Sequence, residues 1–251
     1  MGVVTAGAVL AGGFAAVGSG LLHLPTSMAA AVGVGVGAGV VGAMFWLRPS
    51  ARSELEEVER LSRQAVEAGG TGSANNLAVL LAARGEVGEA ERLYRQAIEA
   101  GRIESVNNLA NLFARRGEWE KAEQLYRQAV DAGFTLALYN LANLLKKRGE
   151  WEEAEQLYRR AVDAGQIEAM NNLATLLVMR GELEEAERLL RRGVEGGDAT
   201  AMNNLANLLS DRGEVEDAKR LYRQAAEAGH TGAARNLADL LRKLGEVGEA
   251  K

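Results

Sequence analysis

The side chains with most to offer chemically are carboxamides. Asn recurs at a constant interval, at Asn76, Asn108, Asn140, Asn172, Asn204 and Asn236. Immediately before it runs a second row, Asn75, Asn107, Tyr139, Asn171 and Asn203, closed by Arg235, and one helical turn further on come Asn111, Asn143 and Asn207. Asn is a poor residue inside a helix because its amide competes for backbone hydrogen bonds, so a helical row of them needs a use. An amide both donates and accepts, and can pair with the N–H and C=O of an extended peptide whatever that peptide's side chains. It can equally bridge neighbouring helices and satisfy backbone groups at repeat junctions. A residue kept in each copy suits bridging as well as binding. The row that admits Tyr139 and Arg235 suits an open surface better. Arg115, Lys146, Lys147 and Lys243 add positive charge nearby while Asp211 and Asp239 oppose it, which favours an acidic or carboxylate-terminated peptide as ligand.

Other chemistries lack their parts. The histidines are His23 and His230, far apart in sequence, and there is no Cys. Neither a metal cluster nor a His-dependent nucleophile can be assembled, and disulfides are excluded. No catalytic residue, metal site or cofactor is expected, and the chain reads as a non-enzyme. Net charge is −5 with both signs interleaved, so nucleic acid is not an expected partner.

The elements that position the amides are helices. Apolar residues at Leu77, Ala78, Leu80 and Leu81, and again at Leu109, Ala110, Leu112 and Phe113, have the three-and-four spacing of one helical face. Arg84-Gly85-Glu86 should end that helix and start another: the Arg answers the negative end of the dipole, the Gly takes a left-handed cap, and the Glu opens the next N-terminus. A second helix runs through Ala90, Leu93, Tyr94 and Ala97 to Gly101. Gly85, Gly117, Gly149, Gly181, Gly213 and Gly245 keep the same period as the Asn rows without an insertion, the mark of a helical repeat array. Trp119, Trp151, Tyr94, Tyr126, Tyr158 and Tyr222 are expected in the core, bracing helix pairs. The fourth copy is irregular, with Leu190 in place of Tyr and Gly193 in place of Ala, which reads as drift or as a soft joint.

These residues carry a resemblance. The array resembles the tetratricopeptide repeat family, antiparallel helix pairs stacked into a right-handed superhelix. The family's small positions fall on Ala78, Ala90 and Ala97, its turn glycine on Gly85, its large second-helix residue on Tyr94, and its aromatic or apolar opener on Val87, Trp119, Trp151, Leu183 and Val215. The Asn-Asn-Leu-Ala wording is similar to repeats of the kinesin light chain kind. Two departures are the period, 32 against the family's usual value of about 34, and the absence of a closing proline. The resemblance implies an all-α solenoid whose first helices line a concave groove that holds an extended peptide. Asn75, Asn76, Asn107, Asn108, Asn111, Tyr139, Asn140, Asn143, Asn171, Asn172, Asn203, Asn204 and Asn207, with Lys146 and Lys147, would line that groove.

Residues 1–47 hold no Asp, Glu, Lys or Arg, and all 29 basic and 34 acidic residues lie from Arg48 onward. Residues 1–22 and 29–47 are apolar runs of about the length that spans a bilayer, broken at Pro25. They are expected to form a transmembrane hairpin, with 48–52 as a short linker. Arg48, Arg52, Arg60 and Arg63 follow the second run, which places the repeats on the cytoplasmic side. A secretory signal would want a positively charged start that is missing, and a buried soluble hairpin is the other alternative. Gly33, Gly35, Gly37, Gly39 and Gly42 give small-xxx-small spacing, which serves either packing of the two spans or homo-oligomerisation through lipid. The run resembles the glycine-rich hairpin helix of ATP synthase rotor rings, but no intramembrane carboxylate is present to carry a proton.

The expected solenoid covers 53–251: an orphan second helix at 53–69, repeats at 70–101, 102–133, 134–165, 166–197 and 198–229, and a partial copy at 230–251, which reads either as part of a longer chain or as leaving Leu237, Leu240 and Leu241 for a partner or a second copy to cover. Two functions follow. The leading one is a membrane-anchored scaffold binding a partner protein's extended segment along the Asn groove. The other is a membrane-active effector whose glycine hairpins oligomerise into a pore, with the repeats controlling assembly.

Overall fold

Each of the described helices is followed, within two residues, by a glycine with positive φ. Gly69, Gly85, Gly101, Gly117, Gly133, Gly149, Gly165, Gly181, Gly197, Gly213, Gly229 and Gly245 all have φ between 71° and 92°, where a Cβ would be strained. They fall at a constant interval, half the spacing of the Asn rows, so one helix plus one turn is the structural unit and two make the full period. The amide after the glycine reaches back to close the helix, as in Glu86 N–H to Leu81 O at 2.9 Å and Arg102 N–H to Ala97 O at 3.0 Å. The turn after a second helix is therefore as short as the turn after a first helix, and the repeat has no room for a longer connection.

The computed structural model of the protein describes residues 49–245. These form twelve helices: α1 (Pro49–Glu67), α2 (Thr71–Arg84), α3 (Val87–Glu99), α4 (Ile103–Arg115), α5 (Trp119–Asp131), α6 (Leu136–Arg148), α7 (Trp151–Asp163), α8 (Ile167–Arg180), α9 (Leu183–Glu195), α10 (Ala199–Asp211), α11 (Val215–Glu227) and α12 (Ala233–Lys243). The fold is an all-α solenoid of antiparallel helix pairs. The two apolar runs at 1–22 and 29–47, and Gly33, Gly35, Gly37, Gly39 and Gly42 within them, lie outside the described residues. Among the described residues no helix is long and apolar enough to cross a membrane. The stretch 49–52 read as linker belongs to α1.

The chain divides into two units, 1–108 and 109–251, with the boundary inside α4. In the first, α2 packs on α1 and on α3. In the second, every helix from α5 to α12 packs on the next, and α10 also touches α8 and α12, the first helices of the neighbouring repeats. The core of each pair is leucine from the first helix and alanine from the second. Leu77 and Leu81, Leu141 and Leu145, Leu173 and Leu177, and Leu205 and Leu209 are fully buried, as are Ala90, Ala122, Ala154, Ala186 and Ala218.

Two sequence expectations, for Trp151 and Gly193, are modified. Trp151 is 41% exposed and does not brace a helix pair. As the first residue of α7 it stands at the edge of the stack, its Nε1 lying 3.8 Å from where a Cβ on Gly149 would sit. The glutamates do open the second helices, standing at the N-cap without a side-chain hydrogen bond to the helix, and Glu150 and Glu182 pair with Arg148 and Arg180 at 2.9 and 3.0 Å. Gly193 in the fourth copy is neither drift nor a joint. A Cβ there would stand 2.5 Å from Ala201 Cβ, so α9 and α10 approach closely enough to require glycine.

Candidate peptide-binding face

The asparagine rows lie on the first helices, and the structure ties many of them to one another. In the first unit Asn75 Oδ1 accepts from Ser105 Oγ at 2.9 Å and from Asn108 Nδ2 at 3.0 Å. Asn76 is half-buried and Asn107 is buried. In the second unit Asn172 Nδ2 donates to Asn143 Oδ1 at 3.1 Å and to Tyr139 Oη at 3.3 Å, and Asn236 Nδ2 donates to Asn203 Oδ1 at 2.9 Å. One repeat's amide thus grips the next. Asn171 and Asn203 are buried, and Asn171 Nδ2 reaches Asp198 Oδ2 at 3.3 Å, the carboxylate that caps α10 through Ala201 N–H. The row of Asn75, Asn107, Asn171 and Asn203 is thus more enclosed than the row beside it, the reverse of what its variability suggests: a side chain at the helix junction is free to vary where its neighbour can be remade. Asn140 and Asn204 are half-buried.

The third row behaves differently, and tyrosine is the reason. Tyr126 Oη donates to Asn111 Oδ1 at 2.5 Å, Tyr158 Oη to Asn143 Oδ1 at 2.6 Å, and Tyr222 Oη to Asn207 Oδ1 at 2.6 Å, each between the two helices of one repeat. Burial pushes all three phenols up, that of Tyr222 to about 12, so they stay protonated donors through the neutral range. Each hydroxyl therefore holds the amide by its oxygen. The Nδ2 groups of Asn111, Asn143 and Asn207 are left as donors without an acceptor among the described residues.

This pairing of a first-helix Asn with a second-helix Tyr is the feature of the face that sequence reasoning misses. Its trace is in the fourth copy, where both partners change together: Thr175 stands in the Asn place and Leu190 in the Tyr place. Thr175 Oγ1 then turns back to Asn171 O at 2.9 Å. The first copy has Val79 at the Asn place and keeps Tyr94, which blurs the signal.

Family models described as tetratricopeptide repeat match residues 71–104, 105–134, 134–197 and 199–228. The chain belongs to the tetratricopeptide repeat family. No curated protein matches it in sequence. Among solved structures it is similar to a protective antigen of uropathogenic Escherichia coli strains displaying an SLR fold, at 22% identity and a TM-score of 0.58, over 74% of this chain and 44% of that one. It is similar to BtubC (BKLC) from P. vanneervenii, at 21% identity and a TM-score of 0.56, over 74% of this chain and 90% of that one. It is also similar to MamA, at 17% identity and a TM-score of 0.50, over 63% of this chain and 97% of that one. The chain therefore spans less than half of the antigen it matches. At these identities the likeness is one of fold.

As a tetratricopeptide repeat protein the chain is a scaffold of a generally non-catalytic family, and such repeats imply protein partners. Lys146 Nζ sits 3.4 Å from Asn172 Oδ1 and 6.0 Å from the centre of the Tyr158 ring, so it lies on the amide face itself. Lys147 is exposed, with its ammonium 5.9 Å from the Trp119 ring centre. Away from that face, glutamates of the second helices form a ladder with arginines: Glu59 with Arg84, Glu123 with Arg148, Glu155 with Arg180 and Glu187 with Arg212.

Proposed function

We propose that this tetratricopeptide scaffold binds an extended peptide segment of a partner protein along the first-helix face of residues 109–245. The observation that carries the reading is the row of oriented amide donors at Asn111, Asn143 and Asn207. A peptide laid along that row offers one carbonyl to each Nδ2, and the pairing is indifferent to the peptide's side chains. The tyrosine hydroxyls fix the amides beforehand, so little ordering entropy is spent on binding. The rungs from Asn172 to Asn143 and from Asn236 to Asn203 hold neighbouring repeats in register, and at Asn143 the oxygen serves the rung while the nitrogen is left for a ligand.

The test separates donor from scaffold. A random-peptide display library is selected on the full chain, and the enriched peptides are titrated against Asn111→Asp, Asn143→Asp and Asn207→Asp combined. Asp keeps an acceptor for each tyrosine and replaces the donor by a carboxylate oxygen; its added charge is controlled by the same titration in 1 M salt, where the loss should persist. Affinity should fall at least ten-fold with the melting temperature nearly unchanged. Asn143→Ala, in contrast, strands the buried Tyr158 hydroxyl and should cost stability of about 1–3 kcal/mol. A library that enriches nothing, or peptides that bind the Asp variant as well as the parent, would overturn the reading.

A further inference from the structure

The last turn of the first helices follows the amide row by one helical turn, so Arg115, Lys147, Met179 and Asp211 continue the same face from Asn111, Asn143, Thr175 and Asn207. Their neighbours immediately before are Ala114, Lys146, Val178 and Ser210. Along the second unit this edge changes character twice. It is cationic at Arg115, Lys146 and Lys147, apolar at Val178 and Met179, and acidic at Asp211.

Within the array the two lysines meet only neutral groups, Lys146 Nζ lying 3.4 Å from Asn172 Oδ1 and Lys147 Nζ 5.9 Å from the Trp119 ring centre, which leaves their charges unneutralised. Most arginines of the second helices are tied to glutamates, whereas Arg115, Lys146, Lys147 and Asp211 have no opposite charge within ion-pair distance among the described residues. Met179 is 70% exposed and Val178 37%, side by side in the last turn of α8. The charges also reach the amide row. Arg115 acts on the Tyr126 hydroxyl that holds Asn111, and Asp211 on the Tyr222 hydroxyl that holds Asn207. Beyond Asp211 the edge turns basic again, where Arg242 is engaged by Asp239 at 2.8 Å. The acidic tract is therefore one repeat long.

Resting on the peptide-binding reading above, we propose that the occupant is a bipolar segment: acidic residues over Arg115, Lys146 and Lys147, an apolar side chain over Val178 and Met179, and a basic residue over Asp211. Adjacent packed helices lie about 10 Å apart and an extended chain rises about 3.3 Å per residue, so one repeat corresponds to about three peptide residues. The apolar residue therefore stands about three positions from the nearer acid and about three from the base. Opposite charges placed in that order fix the register that the amide donors, blind to side chains, leave open. Either chain direction satisfies the order, because the apolar residue is central in both.

The experiment uses ten-residue peptides with blocked termini and a fluorophore, titrated against the full chain by anisotropy. One has a pair of Glu, a central Leu and a pair of Lys at three-residue spacing; two isomers of equal composition move the Leu to either end. The centred peptide should bind at least ten-fold more tightly than both isomers. Lys146→Glu with Lys147→Glu should reverse the choice in favour of a peptide with Lys at both ends. Equal binding of all three isomers, weakened alike by the Asn-to-Asp triple substitution, would overturn the bipolar order and leave the groove reading standing. Binding of none of them would overturn the bipolar order, and the library selection then decides the groove reading alone. Binding that ignores the Asn-to-Asp substitutions would overturn both.

Discussion

Asn143 shows how much one side chain can be asked to do. Its oxygen receives Tyr158 Oη at 2.6 Å and Asn172 Nδ2 at 3.1 Å, and its nitrogen has no acceptor among the described residues. A satisfied acceptor joins two helices of one repeat to the next repeat, and the unspent donor is what a ligand can use. Gly193 makes a different point at the same scale. Glycine inside a helix costs about 1 kcal/mol relative to alanine, so Gly193→Ala should be stabilising by propensity alone. The 2.5 Å approach of Ala201 Cβ decides the opposite sign. Both atoms hang on helix backbone, so α9 and α10 must separate to make room, at a cost of about 1–3 kcal/mol. Urea denaturation of Gly193→Ala should show a lower midpoint; a rise would mean the contact is softer than described.

The second helices are charged on both sides of their alanine stripe, and their ion pairs run in two directions. Glu123 takes Arg127 one turn along its own helix and Arg148 from the next, while Arg127 also takes Glu153 at 2.6 Å. The ladder stops where two residues change together: Lys219 stands in the glutamate place and Leu244 in the arginine place. Arg127 holds the Glu153 carboxyl below the usual carboxylate range, and Arg191 with Arg212 holds Glu187 low. A carboxylate whose folded pKa is depressed stabilises the fold above its unfolded pKa, and that contribution is lost as pH falls through the folded value. These pairs are partly exposed and screened, so each contributes about a few tenths of a kcal/mol. Thermal unfolding should therefore be flat from pH 7 to about pH 5 and fall below about pH 4, with a shallower fall in 1 M salt. Glu153→Gln together with Glu187→Gln should reduce the acid dependence without abolishing folding.

On the scale of the whole molecule, stability in a repeat array is a sum of local terms and nearest-neighbour contacts, and these are uneven here. In α8, Ala169, Met170, Asn171, Leu173, Ala174, Leu176 and Leu177 are buried, whereas in α12 burial is confined to Ala233 and Leu240. Amide exchange should be slowest in α8 and α10 and faster in α12, because local opening there exposes less apolar surface. Deuterium uptake by mass spectrometry resolves the two; equal protection would mean that α12 opens only with the rest. Binding of a peptide along the amide row should slow exchange in the first helices more than in the second.

The sequence by itself determined the helices, their pairing and their period, because glycine spacing, helical apolar spacing and six aligned copies are local signals that no tertiary contact overrides. It also determined that the chemistry is that of amides and fixed charges, since a chain with two distant histidines and no cysteine offers little else. It did not distinguish one asparagine from its neighbour. Asn107, Asn108 and Asn111 are the same residue type within about one turn, and a periodic sequence gives each row equal weight. Only the tertiary structure separated them, by bringing the tyrosine of the paired second helix against the third row alone. The same holds for Trp151 and Gly193: an aromatic opener reads as core and a helical glycine as a flaw until the distance to the adjoining helix is known. Residue type is encoded locally, but which atom of an amide remains unspent is decided by what packs against it.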